Sequence, residues 1–196
     1  MVCKGLWRIG AGVLLGQQPA GVDVMRDRWN RPVLTGIQRD ALDLNVTRTR
    51  THCGLVVARG CRVGIDLETV ESGLITTELV RAVMHDQDAG LDHADADAFF
   101  QFWTMKEAVL KADGRGLEVD PRQVHAGAAS VDDGDWALCG CHGDHWLAKE
   151  LRCPPSIRGA IASNRVPLAT VHVEWESIVA SVMERGSCAG VASPNP

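Results

Sequence analysis

Apolar and polar residues alternate strictly between residues 62 and 68. Val63, Ile65 and Leu67 are apolar, whereas Asp66 and Glu68 lie between and after them. This period of two predicts a β-strand whose two acidic side chains share one face. The strand therefore brings two hard carboxylate oxygens to the same place.

A helical spacing of apolar residues follows some forty positions later. We predict a helix from about residue 94 to residue 112, with its apolar residues near a period of 3.6 and Gly114 at its end. Glu107 and Lys111 are four residues apart, so the helix places them on one face, one turn from each other. In isolation such a pair would be an ordinary surface ion pair.

The rest of the pattern predicts short elements of both kinds. They are a helix over residues 6–17, a charged turn over 26–32, a strand within 46–58, a helix from Thr76 or Thr77 to about residue 87, strands near 123–129, 136–139, 145–151, 158–163 and 169–175, and a helix near 176–184. The Gly-, Ser- and Pro-rich residues 186–196 are expected to be a disordered tail. Helices in blocks between antiparallel strands predict an α+β fold.

Length and composition limit the class of protein. The 196 residues suit one domain or two closely packed subdomains, and seven scattered cysteines favour reduced thiols over a disulfide framework. We see neither a bilayer-spanning stretch nor a signal sequence, and therefore expect no membrane association and a cytoplasmic location.

Charge is distributed unevenly along the chain. Residues 1–65 carry ten Lys and Arg against four Asp and Glu, a net charge of +6, while residues 66–196 carry ten against twenty-one, a net charge of −11. Such a separation suits a polyanionic ligand on one surface and a metal ion on another. Nucleic acid is not the expected polyanion, because the basic residues are not interleaved with aromatic stacking residues.

The two segments, Gly-Ile-Asp-Leu-Glu at 64–68 and Phe-Trp-Thr-Met-Lys-Glu-Ala-Val-Leu-Lys at 102–111, are followed by Gly-Arg-Gly-Leu at 114–117. In order and spacing they closely resemble the signature of the 4′-phosphopantetheinyl transferases, and most nearly the Sfp-type branch that activates carrier proteins of secondary metabolism. Thr-His-Cys-Gly at 51–54 resembles a weaker third motif of that family.

The resemblance implies a fold and an activity. The fold would consist of two similar α/β halves with antiparallel strands, related by a pseudo-twofold axis. Here the halves would be residues 1–68, which are basic and shorter than usual, and residues 69–185, which contain the motif helix. Asp66 comes roughly forty residues earlier than the family pattern leads one to expect, so we expect an amino-terminal shortening that affects affinity more than reaction type.

The implied reaction transfers 4′-phosphopantetheine from coenzyme A to a serine of an apo acyl or peptidyl carrier protein, with Mg²⁺ as cofactor and 3′,5′-ADP as product. The carriers would belong to polyketide, nonribosomal peptide or fatty acid synthases, and the enzyme would be a monomer. The implied metal ligands are Asp66, Glu68 and Glu107, the implied catalytic residues are Glu107 and Lys111, and the implied coenzyme A contacts are Arg8, Arg31, Thr51, His52, Lys106 and Lys111.

Other interpretations remain open. A shortened relative could bind coenzyme A or a carrier protein without turnover. A different magnesium-dependent phosphoryl transferase lacks support, since the chain has no P-loop or kinase motifs. Cys139, Cys141, His142 and His145 could hold a soft metal, but their spacing favours a hairpin with incidental thiols. The aspartates between residues 86 and 97 are assigned to a solvated connector.

Overall fold

A computed structural model describes residues 2–36, 42–85, 88, 95–115, 118–131 and 136–165, without the side chains of residues 2–4 and 126–131. Its helices are α1 (Val2–Leu15), α2 (Thr77–Val83) and α3 (Ala96–Asp113). Its strands are β1 (Val24–Arg26), β2 (Pro32–Leu34), β3 (Asp43–Arg48), β4 (Cys53–Ala58), β5 (Val63–Thr69), β6 (Val124–Val131), β7 (Trp136–Cys141), β8 (Asp144–Glu150) and β9 (Ile157–Ser163). All described residues belong to one compact unit, residues 1–166.

The main sheet is antiparallel and has the strand order β5-β9-β8-β7-β6. Helix α3 packs on one face of it and contacts β5 and β9 most extensively. Apolar residues of α3, among them Ala108, Val109 and Ala112, form the largest buried cluster with small residues of the sheet. The predicted acidic strand is therefore directly covered by the predicted motif helix.

The sequence fixes both ends of α3 and its distance from the sheet. Asp95 caps the first turn by accepting a hydrogen bond from the backbone N–H of Asp97 at 2.9 Å. Gly114 ends the helix in the left-handed conformation, with φ of 84°. At Gly64 a Cβ atom would overlap the carbonyl oxygen of Ala108 and the backbone nitrogen of Ala112, so only glycine permits this close approach of β5 to α3.

A separate hairpin of β3 and β4 covers the free edge of β5. Asp43, Asn45 and Thr47 alternate along β3, and their side chains accept hydrogen bonds from the backbone N–H groups of Val63, Ile65 and Leu67 at 2.8, 3.3 and 3.2 Å. These side chains replace the neighbouring strand that an edge strand otherwise lacks. Helix α1 packs on the hairpin's other side through a cluster that includes Trp7 and Ala11.

Most predicted elements are confirmed within a few residues. The expected strand within residues 46–58 is confirmed as β4, and the end of a further strand, β3, lies in the same region because the polar turn at residues 49–52 separates the two. Helix α2 begins after its cap Thr76 but ends at Val83, four residues earlier than expected. The cysteine-rich segment is a hairpin, as expected, with His142 and Gly143 both at positive φ in its two-residue turn.

The mixture of helices and antiparallel sheet agrees with the predicted α+β class. The predicted strand at 169–175, the helix at 176–184, the tail at 186–196 and part of the connector at 86–97 lie outside the described residues. The assignment of Asp88 to a solvated connector is wrong, because Asp88 is only 6% exposed and its carboxylate pairs with the buried Lys106 at 2.7 Å. The pseudo-twofold arrangement and the division at residue 68 stay predictions. In the described part of the chain, no helix has the length and apolar character needed to cross a bilayer.

Candidate functional site

Asp66 lies at the centre of the candidate site. It is on β5, with only 2% of its surface exposed. Its Oδ1 atom receives a charged hydrogen bond from Lys111 Nζ at 2.5 Å and a second one from Thr47 Oγ1 at 3.2 Å. Its Oδ2 atom is buried and has no hydrogen-bond partner among the described residues. A buried carboxylate oxygen without a partner is costly and therefore suggests a missing ligand.

Glu107 and Glu68 complete a cluster of three carboxyl groups. Burial, reinforced by the charge of Asp66 and opposed by Lys111, raises the pKa of Glu107 to about 7. Burial and the charge of Asp66 also raise the pKa of Glu68, while a hydrogen bond from Trp103 acts in the opposite direction. Asp66 and Glu68 are thus close enough to Glu107 to disfavour its ionisation. A cation in their midst would relieve this repulsion.

The chemistry of this cluster fits a hard divalent cation. Three carboxyl groups and one unpartnered oxygen are the kind of donors that Mg²⁺ binds. Throughout the described ranges, however, no three Asp, Glu, His or Cys side chains are already grouped tightly enough to hold a metal ion. The Lys111 ammonium supplies positive charge to Asp66 in this arrangement, and its side chain remains 29% exposed.

Thr47 belongs to the cluster although the sequence did not identify it. Its Oγ1 atom contacts Asp66, Lys111 and the backbone N–H of Leu67. The alternating polar residues Asp43, Asn45 and Thr47 were a signal that could have revealed a contact with a strand edge. The threonine taken from the resemblance, Thr51, instead lies exposed in the β3–β4 turn.

His52 and Arg8 lie in different parts of the fold from each other. His52 is half-buried in the β3–β4 turn, where its Nδ1 atom is 2.8 Å from the hydroxyl of Thr51. The turn follows β3, the strand that carries Thr47. Thr51 and His52 therefore lie beyond one end of the cluster. Arg8 is exposed on α1, the helix that packs on the hairpin. Their predicted contacts with coenzyme A stay predictions.

Arg31 is placed close to Lys111 but has internal partners. Its buried guanidinium donates to the carboxylate of Asp43 at 2.6 Å, to the carbonyl of Val63 at 2.7 Å and to the carbonyl of Lys111. Burial lowers the pKa of Arg31, and Asp43 acts against this effect. Arg31 therefore joins β3, β5 and the end of α3, a role that the resemblance did not imply.

Lys106 is also committed to the interior. Its side chain has no exposed surface, and Nζ is 2.7 Å from the carboxylate of Asp88 and 2.8 Å from the carbonyl of Val83. Burial lowers the pKa of Lys106, while Asp88 raises it. Although it is adjacent to Glu107 in sequence, Lys106 is not brought to the carboxylate cluster. Its environment gives no support to the predicted contact with coenzyme A.

A cavity of about 260 Å³ opens beside Lys111. Its lining includes Arg26, Trp29, Arg31, Asn45, Lys111 and Gly114. Cationic and aromatic side chains therefore surround a space next to the cluster. Such a lining suits a ligand that carries both phosphate and a flat ring.

The comparisons with known proteins concern the same region. No curated protein matches the chain at a significant level. The match that was found lies in the middle of the chain and contains Asp66, Glu68, Glu107 and Lys111. Members of the matched family transfer phosphopantetheine groups to carrier protein domains. Residues 62–152 of this chain thus match the family model of the 4′-phosphopantetheinyl transferase superfamily.

Proposed function

We propose that this protein transfers the 4′-phosphopantetheine group of coenzyme A to a serine of an apo carrier protein, with Mg²⁺ as cofactor. The observation that carries the proposal is the buried, unpartnered Oδ2 atom of Asp66 inside a cluster with Glu68, Glu107 and Lys111. All four residues lie within the range that matches the transferase superfamily. The proposal thus rests on chemistry and on the comparison together.

Asp66, Glu68 and Glu107 would hold the metal ion. When bound there, Mg²⁺ would draw negative charge from the pyrophosphate and make its phosphorus more electrophilic. Glu68 and Glu107 are charged most easily when a cation is present, because burial and the charge of Asp66 disfavour the ionisation of both. Metal binding and deprotonation of the cluster are therefore expected to occur together.

Glu107 is the proposed general base. The serine oxygen of the carrier attacks the β-phosphorus of coenzyme A, and the bond from that phosphorus to the oxygen of the α-phosphate breaks. Glu107, directly or through a water molecule, takes the serine proton, and 3′,5′-ADP leaves with the electron pair. Because metal binding favours the ionised form of Glu107, its carboxylate would be available to accept the serine proton at neutral pH.

Lys111 is the proposed counter-charge for the leaving phosphate. Its ammonium is partly exposed and lies at the boundary between the carboxylate cluster and the cavity. We place the nucleotide end of coenzyme A in that cavity, where Trp29 and Arg26 are part of the lining. This places the pyrophosphate beside Lys111, as phosphoryl transfer requires.

The proposed partners are apo acyl or peptidyl carrier domains of polyketide, nonribosomal peptide or fatty acid synthases. We also propose that the protein belongs to the Sfp-type branch, is located in the cytoplasm and acts as a monomer. The basic residues of the first part of the chain support the assignment, since carrier proteins are generally acidic.

A second candidate is a binding module that holds coenzyme A or a carrier without turnover. It is favoured by the direct ion pair between Lys111 and Asp66, which leaves the cluster partly neutralised without a metal ion. It is also favoured by Lys106, whose buried ion pair with Asp88 occupies a cation that was expected to contact coenzyme A.

The release of 3′,5′-ADP distinguishes the two candidates. The protein is incubated with coenzyme A, Mg²⁺ and an apo acyl carrier protein, and the nucleotide is quantified by chromatography. A transferase releases one 3′,5′-ADP per carrier, and Asp66→Asn and Glu107→Gln reduce the rate by a factor of roughly 10² or more. Glu78→Gln, at an exposed position on α2, is the matched control and keeps the wild-type rate. Binding of coenzyme A without nucleotide release would favour the binding module.

A further inference from the structure

A buried hydroxyl from outside the matched range joins the main groups of the site. Thr47 is on β3, and 7% of its surface is exposed. Its Oγ1 atom is 3.2 Å from Asp66 Oδ1, 3.2 Å from the backbone nitrogen of Leu67 and 3.4 Å from Lys111 Nζ. One atom thus touches the central acid, the acidic strand and the catalytic-site lysine.

The direction of each hydrogen bond follows from the chemistry of the groups. A backbone N–H and an ammonium group can only donate, so Thr47 accepts from Leu67 and from Lys111. A hydroxyl has one proton and two acceptor sites, and its proton therefore goes to Asp66. All three hydrogen-bonding positions of Thr47 are then used. The hydroxyl has a single orientation that satisfies the surrounding groups.

This orientation determines which oxygen of Asp66 remains available. Oδ1 accepts from both Thr47 and Lys111, while Oδ2 has no partner among the described residues. Without Thr47, only the partly exposed side chain of Lys111 would hold Oδ1, and the carboxylate could rotate more freely about its terminal bond, since such torsions are soft. We propose that Thr47 is a positioning residue that holds Asp66 with Oδ2 directed to the metal ion.

The inference rests on the proposed function, because it assigns the free oxygen to the metal ion of that reaction. It also gives the hairpin a part in the site. The hydroxyl comes from β3, which is outside residues 62–152 and is attached to β5 through the side chains of Asp43, Asn45 and Thr47. Groups that orient a metal ligand commonly affect affinity or activity by about 10- to 100-fold when removed.

The test is the affinity of the full chain for Mn²⁺ alone, measured by electron paramagnetic resonance without coenzyme A. Thr47→Val keeps the shape of the side chain but removes its hydroxyl, and we expect it to weaken Mn²⁺ binding by about 10- to 100-fold. Thr47→Ser keeps the hydroxyl and is expected to restore the binding. In the transfer assay, Thr47→Val should lower kcat and leave the KM for coenzyme A unchanged.

Asn45→Val is the matched control for stability. It removes the neighbouring side-chain acceptor of the same strand, which bonds Ile65 and no carboxylate of the site in the described structure. We expect it to lower the melting temperature as Thr47→Val does but to keep the wild-type affinity for Mn²⁺. The control applies to this measurement because it is made without coenzyme A, whereas Asn45 also lines the cavity beside Lys111. Equal loss of Mn²⁺ affinity in both variants would overturn the positioning role, since a general disturbance of the hairpin would then explain both.

Failure of this inference and failure of the proposed function give different results. If the wild-type protein transfers the group and Thr47→Val matches its Mn²⁺ affinity and kcat, only the role of Thr47 is overturned. The same holds if Thr47→Ser is as weak as Thr47→Val. If the wild-type protein neither binds Mn²⁺ nor releases 3′,5′-ADP, both proposals are overturned.

Discussion

At the scale of single residues, the site is governed by mutual influence among charges. The charge of Asp66 makes ionisation of Glu68 and Glu107 less favourable, the charge of Glu68 acts on Glu107 in the same direction, and Lys111 offsets part of these effects. The pKa of Glu107 is raised to about 7, mainly by burial, and the charges of Asp66 and Glu68 add to this effect. The protonation state of this one carboxyl group therefore links pH to the stability of the metal-free protein.

The stability of the metal-free protein should fall as the pH rises from about 4.5 to about 7. The folded state raises the pKa of Glu107 from 4.5 to about 7, so its contribution is fully present below about pH 4.5 and is lost on deprotonation. The full effect is on the order of 3 kcal/mol. Urea unfolding in the presence of EDTA measures it across this pH range.

Glu107→Gln is the comparison variant for this prediction. It should remove most of the decline, and the raised pKa of Glu68 should leave a smaller slope of the same sign. A wild-type protein and a Glu107→Gln variant with parallel pH profiles would show that Glu107 has an ordinary pKa in the folded protein.

At the scale of elements, the site depends on how closely α3 lies against β5. Gly64 permits backbone contact between them, and the hairpin of β3 and β4 holds the other edge of β5. Glu107 and Lys111 on α3 are one turn apart, so their distance from Asp66 is set by this packing. A small displacement of the helix would separate Lys111 from Asp66.

Gly64→Ala tests this close packing. The added methyl group would overlap backbone atoms of Ala108 and Ala112, which cannot move without displacing the helix. We expect a loss of about 3 kcal/mol in unfolding free energy, the upper end of typical overpacking costs, together with weaker metal binding. Gly73→Ala, where a Cβ atom would meet open space, is the control and should change neither. Wild-type stability of Gly64→Ala would show that α3 does not approach β5 so closely.

Lys106→Met tests the buried ion pair that ties α3 to Asp88. The variant leaves the Asp88 carboxylate buried without its cation, which typically costs 3–5 kcal/mol of stability. Adding Asp88→Leu should recover much of the loss, because both charges are then absent. Urea unfolding gives the stabilities. If Lys106→Met instead keeps its stability and raises the KM for coenzyme A, Lys106 has the phosphate-binding role that the resemblance implied.

The contrast between Lys106 and Glu107 shows what the sequence could and could not predict. The alternation in 62–68 and the helical spacing before Gly114 identified β5 and α3, because local periodicity records which face is buried. Neither pattern shows which groups the charged end of a long side chain contacts. Lys106 points inward to Asp88, and Arg31 points inward to Asp43. Neither aspartate belongs to a motif, and each is more than ten positions from its partner, so the sequence did not indicate these ion pairs. The sequence did not identify Thr47, because its contacts with Asp66 and Lys111 form only when β3 packs against β5.

At the scale of the whole molecule, three parts meet at Asp66. They are the main antiparallel sheet, helix α3 on its face and the hairpin of β3 and β4 at its edge. Residues 62–152 supply the acids and the lysine, whereas the preceding hairpin supplies Thr47 and part of the lining of the cavity beside Lys111. The uneven charge of the chain adds a basic amino-terminal portion suited to acidic partners and phosphate groups. The central claim of transfer to a carrier protein needs all of these parts.

The most direct test is the intact mass of an apo carrier protein after incubation with this protein, coenzyme A and Mg²⁺. We predict that the carrier gains the mass of one phosphopantetheine group, and that the gain is abolished by EDTA and by Asp66→Asn. A carrier that a known transferase modifies under the same conditions, but that keeps its apo mass with this protein, would contradict the proposed function.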